Sequence, residues 1–166
     1  APALTIQTPP AVEDGRGFHE AGETDLTERI NAARTEAGLP ALAVHAGLMG
    51  AARLRAMESE KSGCISHTRP DGRAWLTVLE TEFPMECLER GEAIAYTAPK
   101  QAVHPDADTW YASLTQSPTQ EECLLYPDAQ SLGVGVYFSC RDGHYTAAAV
   151  VLVGTEIPEV RDITGV

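Results

Sequence analysis

Leu26, Ile30, Ala33 and Ala37 recur at helical spacing through "ETDLTERINAARTEAGLP", which predicts an amphipathic helix. Asp25 is placed to cap its start, with Glu28 three residues on as the reciprocal partner, and Gly38 and Pro40 supply the stop. A second helix follows in "VHAGLMGAARLRAMESEKSG" and ends at Gly63. Its Leu48, Ala51, Ala52 and Ala56 make a flat face of small residues that another backbone can approach closely. A third helix is predicted in "GRAWLTVLETEF", where Trp75, Val78 and Leu79 share a face. After Pro84 the period changes. "GEAIAYT" alternates as a strand, and "SLGVGVYFSC" and "HYTAAAVVLVG" read as two more. The last two are joined by "RDG", whose Asp142-Gly143 favours a tight hairpin. A short helix near "PDADTWYASL" lies between the first strand and this hairpin, with Pro105 in its first turn. Helices first, then mostly antiparallel strands with one helix between them, is an α+β pattern in which helices cover a sheet.

A chain of 166 residues, 43% of them apolar, suits one domain with its own core. The Pro-rich start, "APALTIQTPPAVEDG", is small and polar like the beginning of a mature secreted chain. It predicts an extended arm over residues 1–22 ahead of a single domain over 23–166. The net charge of -12 argues against nucleic acid, because there is no basic surface to release counterions. No apolar run reaches the ~18 residues of a membrane helix, so no transmembrane segment is expected. A single domain with a polar surface is compatible with a monomer.

Four cysteines are present, Cys64, Cys87, Cys123 and Cys140, and none forms a C-x-x-C pair. An even count at wide spacing suits two disulfides, and proximity along the chain favours Cys64–Cys87 and Cys123–Cys140. The alternative is a set of buried thiols in a reducing compartment.

Glu92 is the most informative carboxylate. On a strand it shares a face with Ile94 and Tyr96, and a buried carboxylate must find a partner or lose its charge. His67 lies in "CISHTRPDGRAW", between two hydroxyl residues and ahead of a Pro-Asp-Gly turn. If the two meet, Glu92 orients the ring and favours its protonated form. The alternative puts Glu92 at a sheet edge in water. The other histidines read as ordinary: His19 in the polar arm, His45 solvated near a helix start, His104 in a turn and His144 at a hairpin tip. "GVGVYF" lacks the helix and third glycine of a phosphate loop, so its glycines are read as permitting close packing. Ser66 and Ser113 are available hydroxyls outside any nucleophile motif.

"INAARTEAGLPAL", "SHTRPDGRAW", "GEAIAYT" and "SLGVGVYF" stand in the order found in the CAP superfamily. The chain resembles that superfamily over about residues 24–154, and its short bacterial secreted members most. The superfamily takes in cysteine-rich secretory proteins, antigen 5 and plant pathogenesis-related proteins. The resemblance implies an α-β-α sandwich, with helices on both faces of a small antiparallel sheet. It also implies that His67, of the "HTxPDG" loop, and Glu92, of the "GENIA" strand, face one cleft. Many members complete a tetrad with a second histidine and a second glutamate, and some bind a divalent metal there. Here Ala93 replaces the asparagine of "GENIA", and "SPTQEECLL" replaces "SPGHRANIL". Gln120 stands where the second histidine belongs and Ser113 where the second glutamate does. His67 and Glu92 alone offer fewer than the three or four ligands a zinc site takes, unless Glu121 or Glu122 approaches to complete a weak site.

The expected function is that of a secreted, non-enzymatic domain with no required cofactor. It would bind a partner protein or a small apolar, lipid-like ligand through a cleft containing His67, Glu92, Ser113 and Gln120. One alternative is a hydrolase with His67 as general base, oriented by Glu92, and water or Ser66 as nucleophile. Another is a purely structural role, with the pair a fastener left from a metal-binding site.

Overall fold

The computed structural model describes residues 15–97 and 103–156. Strand β1 (Gly15–Phe18) leads into helix α1 (Glu20–Glu36), the short strand β2 (Ala43–Val44) and helix α2 (Ala46–Ser62). A 3-10 helix (Trp75–Leu79) precedes strand β3 (Cys87–Tyr96). Helices α3 (Ala107–Leu114) and α4 (Pro118–Leu124) come next, then strands β4 (Ser131–Arg141) and β5 (His144–Glu156). The five strands form one sheet in the order β1-β4-β5-β3, antiparallel apart from β2, which pairs parallel to β4.

Helices cover both faces, as an α-β-α sandwich requires. Strand alternation sends Ala93, Ala95, Val134, Val136, Val151 and Val153 into one core with residues of α1, α3 and α4. It sends Ile94, Val150 and Leu152 to the other face, against Leu48, Ala51, Ala52 and Ala56 of α2 and Val78 and Leu79 of the 3-10 helix. Here the small-residue face of α2 meets the glycines of β4. A Cβ on Gly133 would land on the backbone of Leu48 and Met49, and one on Gly135 would lie 2.5 Å from the Ala52 carbonyl carbon. The glycines therefore let helix and strand backbones touch.

The hairpin turns at Asp142-Gly143, both with positive φ, between the paired residues Arg141 and His144. Helix α1 starts earlier than expected. Its N-cap is His19 rather than Asp25, because β1 docks antiparallel on the end of β4 and delivers the chain to the helix there. Residues 15–22 of the expected arm are thus strand and helix, while residues 1–14 lie outside the described residues. The third helix shrinks to a 3-10 turn, in which Val78 and Leu79 still fill the core. His45 caps α2: its Nδ1 accepts from the N–H groups of Gly47 and Leu48 at 3.1 and 3.3 Å.

His19 and His104 are not the solvated residues their positions suggest. Their rings stack 4.1 Å apart, and His104 also packs on Phe138 and Tyr145. Burial lowers both pKa values. For His104 the His19 ring adds to the effect, and its pKa falls to about 4.

No disulfide joins the four cysteines. Cys87 lies beside Gly154 and Leu48, near the start of α2, whereas Cys64 follows Gly63 at the other end of that helix, roughly 22 Å away. Cys123 packs on Gly91 at the Val153 level of the sheet. Cys140 is farther along β4 from Leu132, the partner of Val153, by roughly 26 Å. Bridged Cα atoms sit within ~7 Å, so neither expected pairing can form. Burial, and secondly the charge of Glu92, push the Cys123 thiol up to about 11.

Candidate functional site

The Pro-Asp-Gly turn builds the floor under His67. Gly72, with φ of +90°, donates its N–H to the Arg69 carbonyl at 2.9 Å, and Arg69 N–H donates to Arg73 at 2.7 Å. The Asp71 carboxylate accepts from the Arg73 N–H at 3.0 Å, and that bond first of all holds its pKa below the ordinary value. The Arg69 side chain is buried and gripped by Glu58 and Glu82, with Thr77 as a further acceptor. These bonds raise the Arg69 pKa further and hold Glu82 down to about 2. On either side of the His67 ring the backbone is pinned. The His67 carbonyl accepts from Trp75 N–H at 2.8 Å, and the Ser66 carbonyl accepts from Arg55 Nη2 at 2.6 Å.

His67 and Glu92 do meet. The Nδ1–Oε1 distance is 2.9 Å, with the Glu92 side chain fully buried and the His67 side chain half exposed. A carboxylate only accepts, so Nδ1 carries the proton toward it and Nε2 has no protein partner among the described residues.

Arg55 is not among the expected site residues, yet it dominates the site. Its side chain is 1% exposed, and it grips both Glu92 oxygens, Nε to Oε2 at 2.7 Å and Nη2 to Oε1 at 3.1 Å. Nη1 bonds Glu58 at 3.0 Å. The signal was present in the pattern, since Arg55 falls on the buried stripe of α2 with Ala51, Ala52 and Ala56. A cation at such a position demands an anion.

Gln120 is equally committed. Its Oε1 accepts from Ile94 N–H at 2.8 Å, and its Nε2 donates to the carbonyls of Ile94 at 3.3 Å and Leu114 at 2.8 Å. Gln120 is therefore a strut between α4 and the edge of β3. Ser113 lines the same cleft, a cavity of about 530 Å³ bounded also by Ile65, His67, Trp75, Glu92 and Gln120. Glu122 faces a neighbouring cavity of about 340 Å³, and Glu121 lines neither.

A divalent metal of the kind the superfamily can hold does not fit these donors. Glu92 gives both oxygens to a guanidinium, and the Gln120 amide is spent on backbone. Among the described residues no group of three or more His, Cys, Asp and Glu is placed to hold an ion. Nor is any helix among them long and apolar enough to cross a membrane.

The fold resembles solved bacterial structures. An outer surface protein of Borrelia burgdorferi superposes with a TM-score of 0.68 at 17% identity, over 90% of this chain and 100% of that one. An extracellular protein containing a SCP domain from Bacillus anthracis gives 0.60 at 19% identity, over 79% of this chain and 40% of that one. A cysteine-rich secretory protein of Staphylococcus aureus gives 0.55 at 17% identity, over 90% of this chain and 42% of that one. No curated protein matches the chain. The profile of the CAP, or cysteine-rich secretory protein, family matches residues 27–154. With the loop histidine and strand glutamate meeting in a cleft of an α-β-α sandwich, the chain belongs to the CAP family.

Proposed function

We propose that this CAP domain is exported and recognises a partner protein, or a small apolar ligand, through the His67 cleft without turning it over. Export is supported by the solved relatives described as an outer surface protein and an extracellular protein. The observation that carries the recognition reading is the closure of Glu92 by Arg55 on both oxygens. It neutralises the acid from inside the protein and leaves a rigid, open concavity above it. Concave, largely pre-formed sites with few convergent polar groups are where ligands bind. Among the described residues, no activated nucleophile or pair of oxyanion donors beside His67 supports turnover.

The hydrolase reading has one observation in its favour, the partnerless Nε2 of His67, which is the basic nitrogen of a ring oriented by a carboxylate. Fluorogenic peptide turnover by the wild type and by His67→Ala separates the two. Equal background from both is expected, and turnover lost in the variant would overturn the recognition reading. Native mass spectrometry after exposure to zinc and a mixed lipid extract adds a second readout. A retained zinc that disappears in His67→Ala would contradict the metal-free cleft. A retained lipid would assign the ligand to the apolar class.

A further inference from the structure

We propose that the outward edge of β3 in the cleft binds an extended peptide by strand addition, a reading that rests on the recognition role above. The sheet order leaves β3 as an edge strand, and edges present unpaired backbone groups.

Hydrogen-bond alternation fixes which residues present them. Ile94 gives its N–H and its C=O to the Gln120 amide, so its groups point away from β5. At the other end the Gly154 carbonyl accepts from Gln130, on the β4 side, and therefore does not face its β3 partner Arg90. Thr97 N–H donates to Ala147 on β5, so the intervening alternate residues face inward. Glu92 and Arg90 thus share the outward direction of Ile94, and both line the cleft. Among the described residues no hydrogen bond outside the sheet ladder takes their N–H or C=O.

Gln120 shows what this edge accepts. Its primary amide presents one carbonyl and one N–H to a single residue of β3, as a peptide strand would. The next rung, at Glu92, lines the cleft beside it and has no such partner among the described residues. Beyond Arg90 the ladder shifts register, and the Thr155 hydroxyl takes the N–H and the C=O of Glu89. The open edge therefore suits a short segment, of roughly three or four residues at 3.3 Å each.

The walls fit the alternating side chains of such a strand. On the α2 face lie Ile65, 55% exposed, and Trp75. On the α4 face the smaller cavity is lined by Cys123, Tyr126, Ala129 and Val153. The two cavities meet at Arg90, Gly91, Thr119 and Cys123. Backbone pairing with pockets on alternate sides is the arrangement by which strand addition gains affinity and specificity. The occupant is accordingly an extended peptide with apolar side chains, one seated on Ile65 and Trp75 and the next toward Cys123.

The test begins by panning a random heptapeptide phage library on the intact chain. Selected sequences are synthesised as acetylated, amidated peptides and N-methylated one residue at a time. Strand addition predicts roughly tenfold weaker binding at alternate positions and little change between them. It also predicts slower amide exchange at Glu92 on binding, followed by NMR, and weaker binding to Ile65→Glu, which alters an exposed side chain. Peptides lost in Ile65→Glu but indifferent to N-methylation, with Glu92 exchange unchanged, would overturn strand addition and leave cleft recognition standing. Selection of no peptide would overturn the inference too. In that case a retained lipid in the mass spectrometry keeps the recognition reading, and turnover lost in His67→Ala ends it.

Discussion

Glu92→Gln removes the charge that the cleft is built around while keeping its shape. Arg55 and Glu92 are both essentially inaccessible, so Arg55 would be left as a buried cation short of a partner. Removing one member of a buried ion pair costs about 3–5 kcal/mol. Two features place this case at the lower end. Arg55 retains Glu58 at 3.0 Å and the Ser66 carbonyl at 2.6 Å, and the glutamine keeps one oxygen for the guanidinium. Its NH₂ group must then face another donor, either Arg55 or His67 Nδ1. A loss of about 3 kcal/mol is expected, which for a domain of this size lowers the thermal midpoint by roughly 6–12 °C. Thermal melts followed by circular dichroism and by calorimetry measure it, the agreement of the two enthalpies checking two-state behaviour. The double variant Arg55→Met, Glu92→Leu should recover only part of the loss: apolar replacement of a buried pair is often neutral, but Glu58 and the Ser66 carbonyl also lose Arg55. A Glu92→Gln midpoint within about 2 °C of wild type would refute the reasoning. Glu92 would then be solvated, and Arg55 would not be its clamp.

Gln120→Ala should cost about 2 kcal/mol, since it leaves Ile94 N–H and the Leu114 carbonyl without their partner, and urea titration reads the change. Gly135→Ala should cost about 3 kcal/mol in the same assay, because its Cβ meets the α2 backbone and no side chain can move aside. His104 gives a pH dependence whose sign follows from a folded pKa of about 4 against the ordinary 6.5. Between those values the unfolded chain binds the proton and the folded chain does not, so this stability is full above about pH 6.5 and lost as pH falls toward 4. A decline of about 2 kcal/mol is expected in urea midpoints between pH 7 and pH 4.5, and His104→Phe should flatten it. An equal slope in the variant would assign the decline to other groups.

What is legible in the sequence is what local chemistry determines. The β4–β5 hairpin follows from Asp142-Gly143, because positive φ at both positions is a property of those residues themselves. The end of α2 follows from Gly63, and the contact of α2 with β4 from small residues facing glycines. The start of α1 is not legible, because Asp25 offers a good local cap and the competing start at His19 depends on β1 pairing with a strand more than a hundred residues away. The same non-local packing brings His19 onto His104, and nothing near either histidine announces it. Cysteine spacing misleads for a related reason, since nearness along the chain ignores that Cys64 and Cys87 sit by opposite ends of one helix.

The His67–Glu92 pair is visible through the resemblance, but its meaning changes once Arg55 is placed. With the histidine and glutamate alone, the site reads as half of a metal tetrad that has lost its other half. Arg55 adds a cation that bonds both carboxylate oxygens, and a metal would have to displace that buried guanidinium to reach them. Gln120 closes the opposite side by bonding backbone through both ends of its amide. Gln120 and the buried arginine therefore act in one direction. They turn groups that would converge on an ion into supports for the loop that carries His67 and for the edge of β3. What remains along the cleft is the half-exposed ring of His67, the hydrophobic rim at Ile65 and Trp75 and the outward edge of β3 at Glu92 and Arg90. A cleft with its charges satisfied from below and the edge of β3 along its wall suits the uncharged, extended chain proposed for it.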